Sequence, residues 1–80
     1  MFFVYVLYSQ LISKYYVGYT NDFERRFYEH NSKQTKYSST GIPWTLVYKV
    51  EMETHSASMI LEAKILKRGI LRHMKNIGVV

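Results

Sequence analysis

The segments FFVYVLY, residues 2–8, and KYYVGY, residues 14–19, predict the fold of this chain. Both consist almost entirely of β-branched and aromatic residues, which are typical of strands, and the short polar segment between them fits a hairpin loop. Because side chains alternate between the faces of a strand, Tyr16 shares a face with Gly18. A glycine inside a strand often marks close approach by another backbone or a ligand. Tyr5 and Tyr16 therefore indicate a site, although tyrosine is also an ordinary sheet residue.

A short helix is predicted after the second strand, with Asn21 as its N-cap and an end near His30. Two phenylalanines four residues apart form its apolar stripe. At about 100° per residue, Arg26 and His30 lie beside that stripe, whereas Arg25 points to the opposite side. Arg26 is therefore expected at the core boundary, facing the sheet. Taken alone, this position favours an arginine that packs its stem over aromatic side chains.

Residues 31–42 form a polar segment rich in Ser, Thr and Lys. Its Lys33 and Lys36 suit contacts with backbone phosphates, although solvated loops often have the same composition. Residues 43–50 are predicted to form a third strand, with Trp44 as a core anchor at the base of the loop.

A second helix is predicted over residues 57–68, with Thr54 or Ser56 as its N-cap and Gly69 as its stop. Residues 70–77 are predicted to form a last short helix. The chain therefore combines three strands with helices in a single α/β domain, residues 1–80.

Glu62 is the acidic residue that most needs a partner. On a helix it lies within about 60° of Met59, Ile65 and Leu66, which places it in the middle of the apolar face. A buried carboxylate is costly unless it is paired or binds a metal. An ion pair with Arg26 is one interpretation, and a metal ligand is the other. The tyrosine pair and the arginine expected nearby favour the metal ligand.

The three histidines lie on separate predicted elements and do not form a metal-binding set. His55 and His73 are expected at the surface. His30 follows Arg26 by four residues on the same helix face, where it could contact a phosphate or transfer a proton.

Composition narrows the classes of partner. The 80 residues contain 11 basic and 6 acidic side chains, a net charge of +5. This charge fits two interpretations equally well: binding of polyanions, chiefly nucleic acid, and a basic surface that only aids solubility. No apolar run is long enough to cross a bilayer, and the start of the chain lacks the pattern of a signal peptide. Cysteine is absent, which fits the cytoplasm.

Together these segments resemble the GIY-YIG nuclease family. The resemblance rests on VYV at 4–6, YVG at 16–18 and the helix segment at 24–31, followed by Pro43-Trp44 and Glu62. It is similar above all to the small stand-alone bacterial members, which are related to nuclease domains of structure-specific DNA repair enzymes. The first motif departs from the strict Gly-Ile-Tyr spelling. Tyr19 also stands where some branches carry a lysine, and we expect His30 to substitute for it.

The resemblance implies a three-stranded antiparallel sheet with flanking helices and an endonuclease that depends on Mg²⁺ or Mn²⁺. The implied catalytic residues are Tyr5, Tyr16, Arg26, His30 and Glu62, with Glu62 as the metal ligand. The expected nucleic-acid-binding residues are Lys33, Lys36, Asn31 and Tyr19. A tyrosine that activates water needs help from nearby cations or the metal, because its ordinary pKa is near ~10. The expected position of Tyr5 and Tyr16 near Arg26 would meet that need.

DNA is the expected substrate, in branched or single-stranded form, with RNA as an alternative and a role in DNA repair or processing. Two other classes of function stay open. One is a catalytically weak nucleic-acid-binding module that keeps the fold. The other is a nuclease subunit that a partner protein targets, because so short a chain has no room for a separate DNA-reading domain.

Overall fold

Three antiparallel strands form one sheet at the centre of the molecule. They are β1 (Phe2–Ser9), β2 (Lys14–Thr20) and β3 (Trp44–Met52), in the order β2-β1-β3. The computed structural model describes residues 1–32 and 38–79. Lys33 and Lys36, which were expected to bind phosphates, lie outside these described residues. The predicted hairpin and the three-stranded α/β fold are confirmed.

Within the described residues, four helical segments accompany the sheet. They are α1 (Phe23–His30), a single 3₁₀ turn (Ser38–Gly41), α2 (His55–Arg68) and α3 (Ile70–Asn76). The predicted helices are all present, and α2 begins two residues earlier than the sequence indicated. In the described ranges, no helix is long and apolar enough to cross a lipid bilayer.

The helix caps follow short-range hydrogen bonds. The N-cap of α1 is Asp22, whose carboxylate accepts the backbone N–H of Arg25 at 3.2 Å. The prediction of Asn21 was wrong by one residue, because the Thr20 hydroxyl accepts the N–H of Asp22 at 3.0 Å and turns the chain there. Thr54, one of the two predicted candidates, caps α2.

Different helices cover the two faces of the sheet. One face packs against α2 and α3 through an aliphatic core of Val4, Val6, Val17, Ile65 and Met74. The opposite face packs against α1 through a mostly aromatic core of Tyr5, Leu7, Phe23 and Trp44. The alternation of side chains along β1 therefore sends its tyrosine and its valines into separate cores.

A β-bulge in β3 changes which of its residues face α1. Val6 pairs with Tyr48 and Leu7 pairs with Leu46, so Val47 is an extra residue on β3. Strict alternation would place Trp44 and Lys49 on opposite faces, since they are separated by an odd number of positions. The bulge brings both to the face of Tyr5.

His73 is buried, not exposed as the sequence predicted. Gly69 ends α2 with a φ of 99°, and α3 then packs back on α2 and β2. This turn directs His73 and Met74 inward, so only 6% of His73 is accessible. His55 is exposed, as predicted, and stacks on Phe2.

Candidate active site

Gly18 lets the Tyr5 hydroxyl approach the backbone of β2. The two residues are paired across β1 and β2, and Tyr5 is 1% exposed. A Cβ atom at Gly18 would lie 2.6 Å from the Tyr5 Oη and 3.2 Å from Cε1 of Tyr16. Any side chain at this position would displace the hydroxyl. The sequence indicated that another group approaches the backbone at Gly18, and the structure shows that this group is the Tyr5 side chain.

A buried hydrogen bond joins the two strands to α1. The Tyr5 Oη lies 3.0 Å from Nε2 of His30, which is 2% exposed. Burial, together with the charge of Arg26, lowers the pKa of His30 from 6.5 to about 4, so the imidazole is neutral at pH 7. Nδ1 of His30 is buried and has no hydrogen-bond partner among the described groups.

The hydrogen bond between Tyr5 and His30 has two possible directions, because the tautomer of the neutral imidazole sets which group donates. With the imidazole hydrogen on Nδ1, the Tyr5 hydroxyl donates to Nε2 of His30. With the imidazole hydrogen on Nε2, the imidazole donates to the phenol oxygen. The guanidinium of Arg26 lies close enough to act on the same hydroxyl.

Arg26 does not make Tyr5 a stronger acid than free tyrosine. Burial raises the pKa of Tyr5 to about 12. Arg26 acts in the opposite direction, while electrostatic interactions with Tyr16 and Glu62 raise the pKa of Tyr5 further. Arg26 therefore lowers the pKa of Tyr5, as expected, but burial has the larger effect, because transfer of the hydroxyl out of water disfavours its anion.

Tyr16 completes an aromatic cluster around the hydroxyl. Its ring lies 4.6 Å from the ring of His30, 6.4 Å from that of Tyr5 and 6.2 Å from that of Trp44. Tyr16 is half-buried, and so it is more accessible to solvent than Tyr5. The structure thus brings together the two tyrosines and the histidine that the sequence singled out.

One carboxylate holds both adjacent arginines. Oε1 of Glu29 lies 3.1 Å from Nη1 of Arg26, and its Oε2 lies 3.2 Å from Nε of Arg25. The Arg26 side chain is 38% exposed and that of Arg25 is 76% exposed, which confirms their predicted facing. Sequence analysis missed Glu29, although its spacing of three and four residues from the arginines is a known ion-pair signal.

A cavity of about 320 Å³ borders these arginines. Its lining residues are Thr20, Asn21, Asp22, Arg25, Arg26 and Glu29. The cavity therefore offers space beside the guanidinium of Arg26, where a phosphate group could enter.

Asn31 ties the end of α1 to the start of β3. Its Oδ1 accepts the backbone N–H of Trp44 at 2.7 Å, and its Nδ2 donates to the carbonyl of Trp44 at 3.2 Å. The amide that was expected to contact nucleic acid is thus engaged with the backbone. Because His30 immediately precedes Asn31, this pair of hydrogen bonds also positions the imidazole.

Glu62 lies at the edge of the buried face of α2, not in its middle. Met59 and Leu66 are 45% and 55% exposed, whereas Ser58 and Ile65 are fully buried. Leu61 packs on the core, so the helix is rotated from the predicted orientation. Glu62 is half-buried, and burial raises the pKa of its carboxyl.

The ion pair between Glu62 and Arg26 is not present in the structure. Among the described residues, the ion pairs of Arg26 and Arg25 both use Glu29, and none involves Glu62. Glu62 is nevertheless close enough for its charge to raise the pKa of Tyr5. It is therefore a partly desolvated carboxylate within electrostatic range of Tyr5, without an ion-pair partner in the described ranges.

Glu62 can contribute to a metal site only in combination with other ligands. In residues 1–32 and 38–79, no group of three or more His, Asp or Glu side chains could hold a metal ion together. Mg²⁺ is commonly bound by one or two carboxylates, with water and substrate phosphates as the remaining ligands. A partly desolvated carboxylate within electrostatic range of Tyr5 fits this mode of binding.

Tyr19 is not part of the cluster. It packs on the aliphatic core on the opposite face of the sheet, with its ring 5.3 Å from that of His55. Alternation along β2 separates it from Tyr16 and Gly18. The structure therefore does not bring Tyr19 to the face that carries Tyr5.

Comparisons with known proteins agree with the geometry. The chain matches the GIY-YIG catalytic domain over residues 1–70. It is 42% identical over 55 residues to a UPF0213 protein of Streptococcus pneumoniae serotype 4, a match that covers 68% of this chain and 54% of the relative. It is 35% identical over 66 residues to a UPF0213 protein of Lactococcus lactis subsp. cremoris (strain SK11). This match covers 76% of this chain and 67% of the relative.

No solved structure matches the chain significantly. The family assignment therefore rests on the domain match, the two relatives and the sheet that carries the motif tyrosines. The match to the catalytic domain includes all of β1, β2, α1, β3 and α2. The chain therefore belongs to the GIY-YIG family.

Proposed function

We propose that this chain is an endonuclease domain that hydrolyses DNA phosphodiester bonds with the help of a divalent metal ion. The observation that carries the proposal is the buried hydrogen bond between Tyr5 and His30, with Arg26 directed at the same hydroxyl. The guanidinium of Arg26 borders an open cavity that can admit a phosphate. The buried phenol and the neutral imidazole are chemically suited to proton transfer next to that phosphate. Membership in the GIY-YIG family supports the same reaction class.

We assign the scissile phosphate to Arg26. Its guanidinium borders the cavity and is held by Glu29. A phosphate offers the same kind of anionic oxygens as that carboxylate, so it can take over hydrogen bonds that Glu29 now accepts. Arg26 then stabilises the negative charge that develops on the phosphate in the transition state.

We assign proton transfer to Tyr5 and His30. A water at Tyr5 can give its proton to the phenol oxygen while Tyr5 passes its own to Nε2 of His30. The phenol therefore need not ionise beforehand, which its raised pKa would oppose. His30 is unprotonated at neutral pH and can accept the proton. Tyr16 is half-buried, and we assign to its hydroxyl the contact that holds the water in place.

We assign the metal ion, Mg²⁺ or Mn²⁺, to Glu62. When bound, such an ion neutralises charge on the phosphate and on the leaving oxygen. The partly desolvated carboxylate near Tyr5, without an ion pair in the described ranges, supports this assignment.

The test is a cleavage panel with the purified chain. Single-stranded, duplex, flap and branched DNA, with matched RNA, are incubated with Mg²⁺, with Mn²⁺ and with EDTA. Cleavage that requires the metal is expected, and a preference for flaps or branches would support a role in DNA repair or processing. Binding of DNA without cleavage under any metal condition would contradict the proposal and favour a catalytically weak binding module.

A nuclease subunit targeted by a partner protein is the second candidate. The observation that favours it is the exposure of apolar side chains on α2, including Met59, Ile60 and Leu66. Under this alternative, the purified chain would cleave DNA slowly and with little preference among the structures in the panel. Efficient, structure-selective cleavage by the chain alone would exclude it.

A further inference from the structure

Lys49 lies on the same face of the sheet as the proposed catalytic tyrosine. It pairs directly with Tyr5 across β1 and β3, so both side chains leave the sheet in the same direction. Its Nζ lies 4.6 Å from the ring centroid of Phe23 and 5.4 Å from that of Phe3. The ring of Phe23 in turn lies 5.5 Å from that of Tyr5. One aromatic ring therefore contacts both the ammonium group and the catalytic tyrosine.

No carboxylate of the described residues forms an ion pair with Lys49. In the described parts of the chain, the ion pairs involve Arg25, Arg26 and Glu29, and none involves Lys49. Glu51 lies two positions along β3 but forms no ion pair with it. Lys49 is exposed, so its ammonium group remains accessible from solvent.

The two phenylalanine rings restrict the lysine side chain. Contact of the ammonium group with aromatic faces is attractive, and the aliphatic stem can pack along apolar surface. Part of the entropy that a flexible lysine loses on binding a ligand is therefore already lost in the free protein. Such a cation is better prepared to bind an anion than a lysine that moves freely in solvent.

We infer that Lys49 binds a backbone phosphate of the nucleic acid, next to the phosphate held by Arg26. The inference rests on the proposed nuclease function. Phe23 and Arg26 lie three residues apart on α1, so the two cations flank the first turn of one helix. A nucleic acid strand presents phosphates at regular short intervals, and two neighbouring phosphates can meet two such cations. Contacts of this kind position the strand but carry no sequence information.

The alternative is that Lys49 only covers the two aromatic rings. In that case, removing the charge while keeping a long apolar side chain would leave nucleic-acid binding unchanged. Lys49→Met makes this change, and Lys49→Gln is a second neutral variant in case the first folds poorly. Lys49→Arg keeps the charge. Lys75→Met, at an exposed position of α3 beyond the opposite face of the sheet, is the matched control.

The first measurement is affinity for a DNA oligonucleotide, without divalent metal, across a series of salt concentrations. For Lys49→Met and Lys49→Gln, we expect affinity to fall several-fold at low salt and the log–log salt slope to become shallower by about 0.7–0.9, the value of one phosphate contact. Lys49→Arg and Lys75→Met are expected to match the wild type. Thermal unfolding of each variant checks that the fold is retained.

The second measurement locates the phosphate. Neutral methylphosphonate groups replace single phosphates on either side of the bond that the wild type cleaves. One flanking replacement is expected to weaken binding by the wild type but not by Lys49→Met. The role of Lys49 would be overturned if each phosphate replacement weakened binding of Lys49→Met as much as it weakened binding of the wild type. It would also be overturned if the neutral variants of Lys49 bound DNA like Lys75→Met. Either result would leave the nuclease function intact. A wild-type protein that neither binds nor cleaves nucleic acid would overturn both.

Discussion

Arg25 and Arg26 are neighbours in sequence but differ in what they contact. Arg26 lies close enough to the Tyr5 hydroxyl to lower its pKa, whereas the side chain of Arg25 forms an ion pair with Glu29 from an exposed position. The helical phase of the two residues accounts for this difference. The shared carboxylate means that the arginines are nevertheless electrostatically linked.

Removal of each arginine should separate their roles. Arg26→Ala is expected to reduce cleavage by about 10²–10³-fold, because it removes the donor that we propose stabilises the transition-state charge. Arg25→Ala should leave most of the activity, since an exposed ion pair contributes little. Single-turnover cleavage rates of the two variants provide the comparison. Equal losses would show that the different contacts of the two arginines do not determine catalysis.

Glu62 is expected to be required for catalysis but not for folding. Glu62→Gln keeps the shape and removes the charge that a divalent cation needs, so cleavage should fall by orders of magnitude. Metal-free DNA binding should persist, because it depends on basic side chains. The melting temperature should be equal or higher at pH 7, because the raised pKa of Glu62 means that folding disfavours its ionised form.

Glu53→Gln, at an exposed position before α2, is the control for loss of one negative charge. It should retain cleavage activity. A well-folded, fully active Glu62→Gln variant would show that Glu62 is not a catalytic residue.

His30 should make the fold sensitive to acid. Its pKa is lowered on folding from 6.5 to about 4, so the unfolded chain binds more protons between these values and stability falls as pH falls through that window. From pH 7 to pH 5, this one group should cost about 2 kcal/mol of unfolding free energy.

Urea unfolding at both pH values, for the wild type and for His30→Gln, isolates this contribution. Burial also lowers the pKa of His73, so a smaller acid-dependent loss should remain in the variant. An identical pH dependence in the two proteins would show that His30 is not the buried neutral group described here.

At the scale of elements, α1 delivers the arginine and the histidine to the sheet, and Asn31 holds its end in place. The two hydrogen bonds to Trp44 connect α1 to β3 across a gap of 13 residues in sequence. Trp44 itself lies on the α1 face because of the bulge at Val47. The position of His30 therefore depends on contacts between elements.

Loss of the Asn31 amide should loosen this connection. Asn31→Ala is expected to lower the unfolding free energy by about 1–3 kcal/mol, since it removes both hydrogen bonds between the Asn31 amide and the Trp44 backbone. Catalysis should slow with little change in DNA affinity, because the imidazole loses its fixed position while the basic residues remain.

Asn31→Asp keeps an acceptor for the Trp44 N–H and should be intermediate in stability. The measurements are urea unfolding, kcat and metal-free DNA affinity. If Asn31→Ala weakened DNA binding without changing stability, the amide would contact nucleic acid, as the sequence first indicated.

At the scale of the whole molecule, excess positive charge should govern binding. The chain carries 11 basic and 6 acidic residues, and phosphates are the complementary ligands. Binding to DNA should weaken steeply and linearly in a log–log plot against salt concentration. It should depend little on base sequence, because phosphate contacts carry no sequence information. Fluorescence anisotropy with unrelated oligonucleotides tests both expectations, and salt-insensitive, sequence-specific binding would count against them.

Short-range patterns in the sequence determined the elements and several facings. Alternation along the strands grouped Tyr16 with Gly18, and helical phase separated Arg26 from Arg25. The order of the motifs also led to the family that the domain match shows. These inferences succeeded because strand and helix periodicity depend on neighbouring residues alone.

The tertiary structure alone decided how these residues affect one another. It placed the β-bulge that brings Lys49 to the Tyr5 face, and it rotated α2 so that Glu62 lies at the edge of the core. It also buried Tyr5 and His30 deeply enough to raise the pKa of the phenol and lower the pKa of the imidazole, which favours the neutral form of both. None of this follows from local periodicity, because desolvation and register depend on which distant segments pack against each side chain.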